Sequence, residues 1–153
     1  MSRIIPPIDG ISNKNTPKYV SVDITVEDNE RILTVSANSD FLNRQGVVIE
    51  SKGRLEDAES IVSSFIEHVL SSAKYCYNQL ELEIKCLLRL YAQAKIADAR
   101  GKLLTSNLLL DIEREHCSIE QLKSYIRGYH DIIESDIQYL AQASCLGIKE
   151  EKE

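Results

Sequence analysis

The chain has 153 residues, of which 43% are hydrophobic and 27% charged, and 18 Lys and Arg against 24 Asp and Glu leave a formal net charge of −6. This length predicts one domain, or one domain with a small appendage, and the apolar content excludes wholesale disorder. The acidic balance argues against global attraction to nucleic acid or anionic lipid, although a local patch can still be basic.

Two further features bear on location. No apolar run approaches the roughly 18 residues of a membrane helix, and residues 1–7 lack the apolar segment of a secretory signal, so we expect no membrane association and a cytoplasmic protein. Four cysteines are present, with no C-x-x-C pair: Cys76, Cys86, Cys117 and Cys145. We interpret them as small buried hydrophobic residues in a reducing compartment, with a metal site or a disulfide as the alternative.

The N-terminal third predicts an arm and then a small sheet. Residues 1–17 contain all three prolines and no periodicity, which is typical of a flexible arm. Residues 18–52 form a β-element. Apolar and polar residues alternate over 20–26, and a two-residue turn at Asp28-Asn29 would place six apolar residues on one face of an antiparallel β-hairpin. These are Val20, Val22, Ile24, Leu33, Val35 and Ala37. Residues 45–50 could add a third strand.

Residues 53–147 predict a helical domain, and 148–153 a charged tail. No Gly or Pro interrupts residues 54–100, which favours one long helix, with a break near residues 71–72 or 77–78 left open. We expect a short helix over 105–116, capped among residues 105–107, and a last helix from Ser118, whose spacing to Gln121 fits a capping box. Gly147 is a candidate C-terminal stop. The fold class is therefore α+β, mainly α: a small N-terminal β-hairpin or meander followed by a long-helix hairpin or a three-helix bundle.

Both long helices carry more apolar surface than a two-helix hairpin can bury. We expect the stripe Leu80, Ile84, Leu87 and Tyr91 to be covered by the last helix. Other apolar residues then point elsewhere and form the candidate interface: Tyr75, Leu82, Cys86, Leu90, Tyr125, Ile132 and Tyr139. The sheet, the short helix or another chain could cover them. We favour an interface and predict a non-enzymatic assembly or adaptor subunit that forms a homo-oligomer or binds a protein partner, in coiled-coil fashion.

No sequence motif supports catalysis. Glu113 and His116 have the Glu-x-x-His spacing of di-iron bundles, but no second such pair exists to complete a site. No glycine-rich elbow or phosphate loop is present. We therefore predict no enzyme activity, no catalytic residues, no cofactor and no metal.

A basic strip on the long helix offers an alternative function. It consists of Lys74, Lys85, Arg89, Arg100 and Lys102. Such a strip could follow a phosphate backbone in a nucleoprotein complex, which would make the chain a small nucleic-acid-associated subunit. The competing interpretation, which we favour, is a solvated face or charge pairing with acidic residues of the short and last helices.

Overall fold

The computed structural model describes residues 17–147. The strands are β1 (Val20–Glu27), β2 (Glu30–Ala37) and β3 (Glu50–Arg54), and the helices are α1 (Asp40–Arg44), α2 (Ala58–Ala99) and α3 (Ser106–Ala143). A single 3₁₀ turn, Leu55–Asp57, joins β3 to α2. A three-stranded antiparallel sheet followed by two long helices confirms the predicted mainly α, α+β class. The predicted arm, apart from Pro17, and the charged tail lie outside the described residues.

The β-hairpin has the predicted register. Val20 pairs with Ala37, Val22 with Val35 and Ile24 with Leu33. Asp28 and Asn29 both adopt positive φ, of 53° and 65°, as a two-residue type I′ turn requires at its central positions. Four of the six residues expected on the inner face are buried, whereas Ile24 and Ala37 are half-buried.

The third strand lies later in the chain than predicted. Residues 45–49 form no strand, and β3 instead starts at Glu50 and pairs antiparallel with β2, Val35 opposite Ser51. The short helix α1 fills part of the connection, and its Leu42 is fully buried. A Cβ on Gly128 would lie 3.1 Å from Leu42 Cγ, so the missing side chain lets α1 approach α3.

Both long helices are uninterrupted. α2 has no break at residues 71–72 or 77–78. Its last helical residue is Ala99, and Gly101, which follows two residues later, has a φ of +69°. The amide of Gly101 donates to Asp98 O and that of Lys102 to Ala97 O, both at 2.9 Å, which is the Schellman arrangement.

The sequence predicted two C-terminal helices, but the structure has one, because α3 covers both segments. Thr105 caps it, since its Oγ1 accepts a hydrogen bond from the Leu108 amide at 3.1 Å. Ser118 lies inside this helix and caps nothing. The capping-box spacing was misleading because the apolar period continues through Ser118 without a Gly or Pro to end the helix.

The chain forms two compact units. The sheet unit comprises the described residues 17–72 and 128–147, and the helix-pair unit is Ala73–Arg127. The core of the sheet unit draws on β1, β2, α1, α2, α3 and the segment that precedes β3. Its most enclosed side chains include Val22, Leu33, Val35, Leu42, Ile49, Phe65, Val69, Ile132, Tyr139 and Leu140.

A buried carboxylate ties the start of the sheet to α3. Asp136 is fully buried, and its two oxygens accept hydrogen bonds from the Lys18 amide at 3.0 and 3.1 Å. Oδ2 also accepts from the Tyr19 amide at 2.6 Å. Asp136 thus satisfies backbone donors at the entry to β1 that would otherwise be left without partners.

Candidate interaction surface

Large apolar side chains are exposed mainly on the helix-pair unit. Among the described residues, eleven of the fifteen exposed large hydrophobic side chains lie there: Tyr75, Tyr77, Leu82, Ile84, Leu88, Tyr91, Ile96, Leu103, Leu104, Leu109 and Leu110. The sheet unit, which is the larger, exposes only Val26, Val48, Leu70 and Ile137 among its described residues. Concentrated apolar exposure of this kind is typical of surfaces that bind another molecule.

The seam between the two helices of this unit is thin. Its buried apolar residues are Ala73, Cys76, Ile119 and Ile126, two of them small. Leu80, Leu87 and Leu90 on α2 are half-buried, and so is Leu122 on α3. The remaining apolar residues of both helices flank this seam and stay in contact with water.

Two glutamates occupy positions along the seam where an apolar residue would be expected. Glu83 and Glu115 are both half-buried, and Glu115 Oε2 is enclosed without a hydrogen-bond partner among residues 17–147. The neighbouring Glu83 side chain, then burial, then the charge of Asp111 raise the pKa of Glu115. Glu115 therefore holds a proton more tightly than an isolated glutamate does.

Two of the four residues expected to face α3 are exposed, whereas Leu80 and Leu87 are half-buried in the seam. Ile84 and Tyr91 are 41% and 42% exposed, contrary to the expected cover by α3. The Tyr91 hydroxyl lies 2.7 Å from His116 Nε2, and the two rings meet edge to face at a centroid distance of 6.0 Å. This contact places Tyr91 at the edge of the seam, and Ile84, one heptad earlier, lies on the same edge.

Four apolar residues along this edge form what we call the outer stripe: Tyr77, Ile84, Leu88 and Tyr91. All four are exposed, and Leu88 is the most exposed of them at 61%. Tyr77 and Leu88 were not predicted from the sequence to form a surface. The signal available for them was the seven-residue repeat Tyr77, Ile84, Tyr91 with Leu88 between its last two members.

The predicted interface residues of α2 lie along the opposite edge of the seam. Tyr75 and Leu82 are exposed, at 65% and 54%, whereas Cys86 and Leu90 are half-buried. Tyr125 on α3 is also half-buried. The structure therefore leaves Tyr75 and Leu82 accessible from this set and encloses the other three in part.

Two predicted interface residues of α3 need correction. Ile132 and Tyr139 are fully buried within the sheet unit and offer no free face. Burial, then the negative charges of Asp136 and Asp23, raise the pKa of the Tyr139 phenol, and Asp23 belongs to β1. Ile132 and Tyr139, seven residues apart on α3, are thus part of the core of the sheet unit and not of an interface.

The basic strip is exposed along its whole length. Lys85 forms a 3.5 Å ion pair with Glu81 on its own helix. Within residues 17–147, Lys74, Arg89, Arg100 and Lys102 have no ion-pair partner, so the expected pairing with acidic residues of α3 does not occur there. The helix-pair unit holds nine Lys and Arg against seven Asp and Glu, whereas the described sheet unit holds five against thirteen.

Other candidate chemistry is dispersed. No group of three metal-ligating side chains converges within the described part of the chain, and His116 contacts Tyr91. All four cysteines are free thiols, but only Cys76 is buried, while Cys117 and Cys145 are exposed. The expectation that all four are buried is therefore wrong for Cys117, which lies on α3, and for Cys145, which follows it.

Comparison with protein-family models, with curated protein sequences and with solved structures finds no match to this chain. Within residues 17–147, neither long helix is apolar enough over a sufficient length to cross a membrane.

Proposed function

We propose that this chain is a non-enzymatic assembly or adaptor subunit of the cytoplasm that binds protein through the exposed apolar surface of the helix-pair unit. The observation that carries this proposal is the unequal distribution of apolar side chains. The sheet unit buries most of its large apolar residues, whereas the helix-pair unit leaves eleven of them exposed. Complete burial of one such side chain is worth roughly 1.5–3 kcal/mol, so covering several half-exposed ones would favour association strongly.

The test uses charge substitutions on the two units. Leu82→Glu with Leu110→Glu places two charges on the helix-pair unit, at positions 54% and 51% exposed. Val26→Glu with Val48→Glu is the matched control on exposed positions of the sheet unit. The wild type and both variants would be compared by sedimentation velocity and by quantitative co-purification from source cells.

We expect the wild type and the control to self-associate, or to retain the same defined set of proteins. The helix-pair variant should lose this association. Circular dichroism should show all three folded, because the substituted residues are exposed. The proposal would be contradicted by a wild type that stays monomeric and co-purifies with the same proteins as the helix-pair variant.

The basic strip supports a second candidate, a nucleic-acid-associated subunit. Four of its five side chains lack ion-pair partners within the described range, and the helix-pair unit has a basic excess despite the acidic chain. Salt titration against labelled single- and double-stranded DNA and RNA tests it. This candidate predicts affinity that falls steeply with salt and weakens in Arg89→Gln with Arg100→Gln. Absence of binding at low salt would exclude it.

A further inference from the structure

The outer stripe belongs to a longer row of exposed positions on α2. Steps of three and four residues connect its members: Lys74, Tyr77, Glu81, Ile84, Leu88, Tyr91, Lys95 and Asp98. Every one of the eight is exposed. Alternating steps of three and four are the spacing at which the seam residues of a coiled coil recur, so one side of a partner helix could follow the row along its length.

The row has an apolar middle and charged ends. Ile84 and Leu88 are at its centre, with Tyr77 and Tyr91 on either side. Toward the N-terminal end the charged members are Lys74 and Glu81, and toward the C-terminal end they are Lys95 and Asp98. From the N-terminal end toward the centre the charge is first positive, at Lys74, and then negative, at Glu81. From the C-terminal end toward the centre it is first negative, at Asp98, and then positive, at Lys95.

This order of charges selects the direction of a partner identical to the row. In an antiparallel pair centred between Ile84 and Leu88, Lys74 faces Asp98 of the other helix, while Glu81 lies opposite Tyr91 and Lys95 opposite Tyr77. The contact between Lys74 and Asp98 joins opposite charges, two-fold symmetry repeats it, and no charged member of the row faces a like charge. In a parallel, in-register pair each charged residue would face its own copy, which gives four repulsive contacts.

We propose that the outer stripe is covered by a second copy of this chain, whose α2 packs antiparallel against it about a two-fold axis near Ile84 and Leu88. This rests on the proposed function, because it names the partner of one edge of the helix-pair surface. The ion pair between Glu81 and Lys85 does not oppose it. Both side chains are more than half exposed, so that pair is weak and Glu81 can move when the other copy packs against it.

The first experiment measures the oligomeric state of the full chain by sedimentation equilibrium over about a hundredfold range of concentration. We expect a monomer–dimer equilibrium for the wild type. Ile84→Glu and Leu88→Glu, each made separately, should raise the dimer dissociation constant at least about tenfold, because each places two charges in the apolar centre of the symmetric interface. Ile96→Glu is the matched control, since Ile96 is an exposed apolar residue of α2 outside the row.

The second experiment tests the direction by charge exchange. Lys74→Glu alone and Asp98→Lys alone should each weaken the dimer several-fold, because each creates two like-charge contacts in the antiparallel arrangement. Lys74→Glu combined with Asp98→Lys restores opposite charges and should restore the wild-type dissociation constant. In a parallel pair the single changes would leave the repulsion as it was and the double variant would show no rescue.

The outcomes separate this inference from the proposed function. A dimer lost in Ile84→Glu and Leu88→Glu, kept in Ile96→Glu and rescued by the double exchange supports the antiparallel pair. A strictly monomeric wild type overturns it. A dimer lost only in Ile96→Glu also overturns it, while association through the helix-pair unit would stand. Far-UV circular dichroism of each variant should match the wild type, since all the substituted positions are exposed.

Discussion

At the scale of single residues, the polar groups of the interior have the clearest consequences. Asp136 is fully buried and accepts three hydrogen bonds from the Lys18 and Tyr19 amides. A buried carboxylate is costly unless donors surround it, and buried amides are costly without an acceptor. Each group therefore depends on the other, and loss of the carboxylate leaves two backbone donors unsatisfied.

Replacement of Asp136 should test this dependence. Asp136→Ala is expected to lower the free energy of unfolding by about 3–5 kcal/mol, because it removes the acceptor and leaves a cavity. Asp136→Asn should cost less, since its carbonyl oxygen can still accept one of the bonds. Urea unfolding followed by circular dichroism measures both. Equal stability of Asp136→Ala and the wild type would show that water or other groups satisfy the two amides.

The glutamate pair in the seam predicts a pH dependence. The pKa of Glu115 is raised in the folded chain, chiefly by the neighbouring Glu83 side chain. The folded state therefore holds this proton more tightly than the unfolded state does. Its contribution to stability is fully present below the ordinary glutamate pKa and is lost as the pH rises through the raised value.

Glu115→Gln should remove this dependence. At neutral pH the variant is expected to be more stable than the wild type, because an amide carries no charge beside Glu83. The advantage should disappear on acidification, when Glu115 of the wild type is protonated. Thermal melts between acidic and neutral pH measure the difference, with Glu113→Gln, an exposed neighbour, as the control. A Glu115→Gln variant that is less stable than the wild type at neutral pH would contradict a raised Glu115 pKa in the folded chain.

These interior polar residues could not be predicted from the sequence. Apolar periodicity identifies the positions that face a core, and Asp136, Glu83 and Glu115 appear in such a pattern only as ordinary charged helix residues. The partners of Asp136 are backbone amides, which every residue but proline has. No residue type in the sequence could therefore mark Lys18 and Tyr19 as its donors.

At the scale of elements, the β-hairpin was predictable in full and its surroundings were not. Strand alternation and a two-residue turn together allow only one register that keeps the apolar set on one face, and that register is confirmed. α1 was missed because five residues are too few to show a helical period. β3 was displaced because its sequence, Glu50–Arg54, has no apolar residue at all.

Two substitutions at one turn position should change the free energy of unfolding in opposite directions. Asn29 has φ of 65°, a left-handed conformation that glycine adopts without strain. Asn29→Gly creates an Asp-Gly type I′ turn and should raise the free energy of unfolding by up to about 1 kcal/mol. Asn29→Val should lower it, because a β-branched side chain is strained there. Chemical denaturation of the two variants beside the wild type measures both, and the same sign for both would contradict the turn assignment.

At the scale of the whole molecule, the sequence predicted surplus apolar surface but misplaced part of it. Tyr125, Ile132 and Tyr139 share one face of α3, yet Ile132 and Tyr139 serve the core of the sheet unit. A single sequence shows which residues share a helix face but does not show which face a separate sheet will cover. The outer stripe was not predicted for a related reason. Ile84 and Tyr91 were expected to face α3 in the seam, but both side chains are exposed.

The hydrogen bonds of Asp136 also determine the order in which the chain can fold. They join residues 118 and 117 positions apart, whereas the helix-pair unit consists of two segments adjacent in the chain. Local contacts form early and distant ones form late, because a long loop must first be closed. On the ribosome, β1 is synthesised first yet cannot gain its anchor until α3 has emerged. Pulse-labelled hydrogen exchange during refolding should therefore find the Lys18 and Tyr19 amides protected after those in the middle of α2.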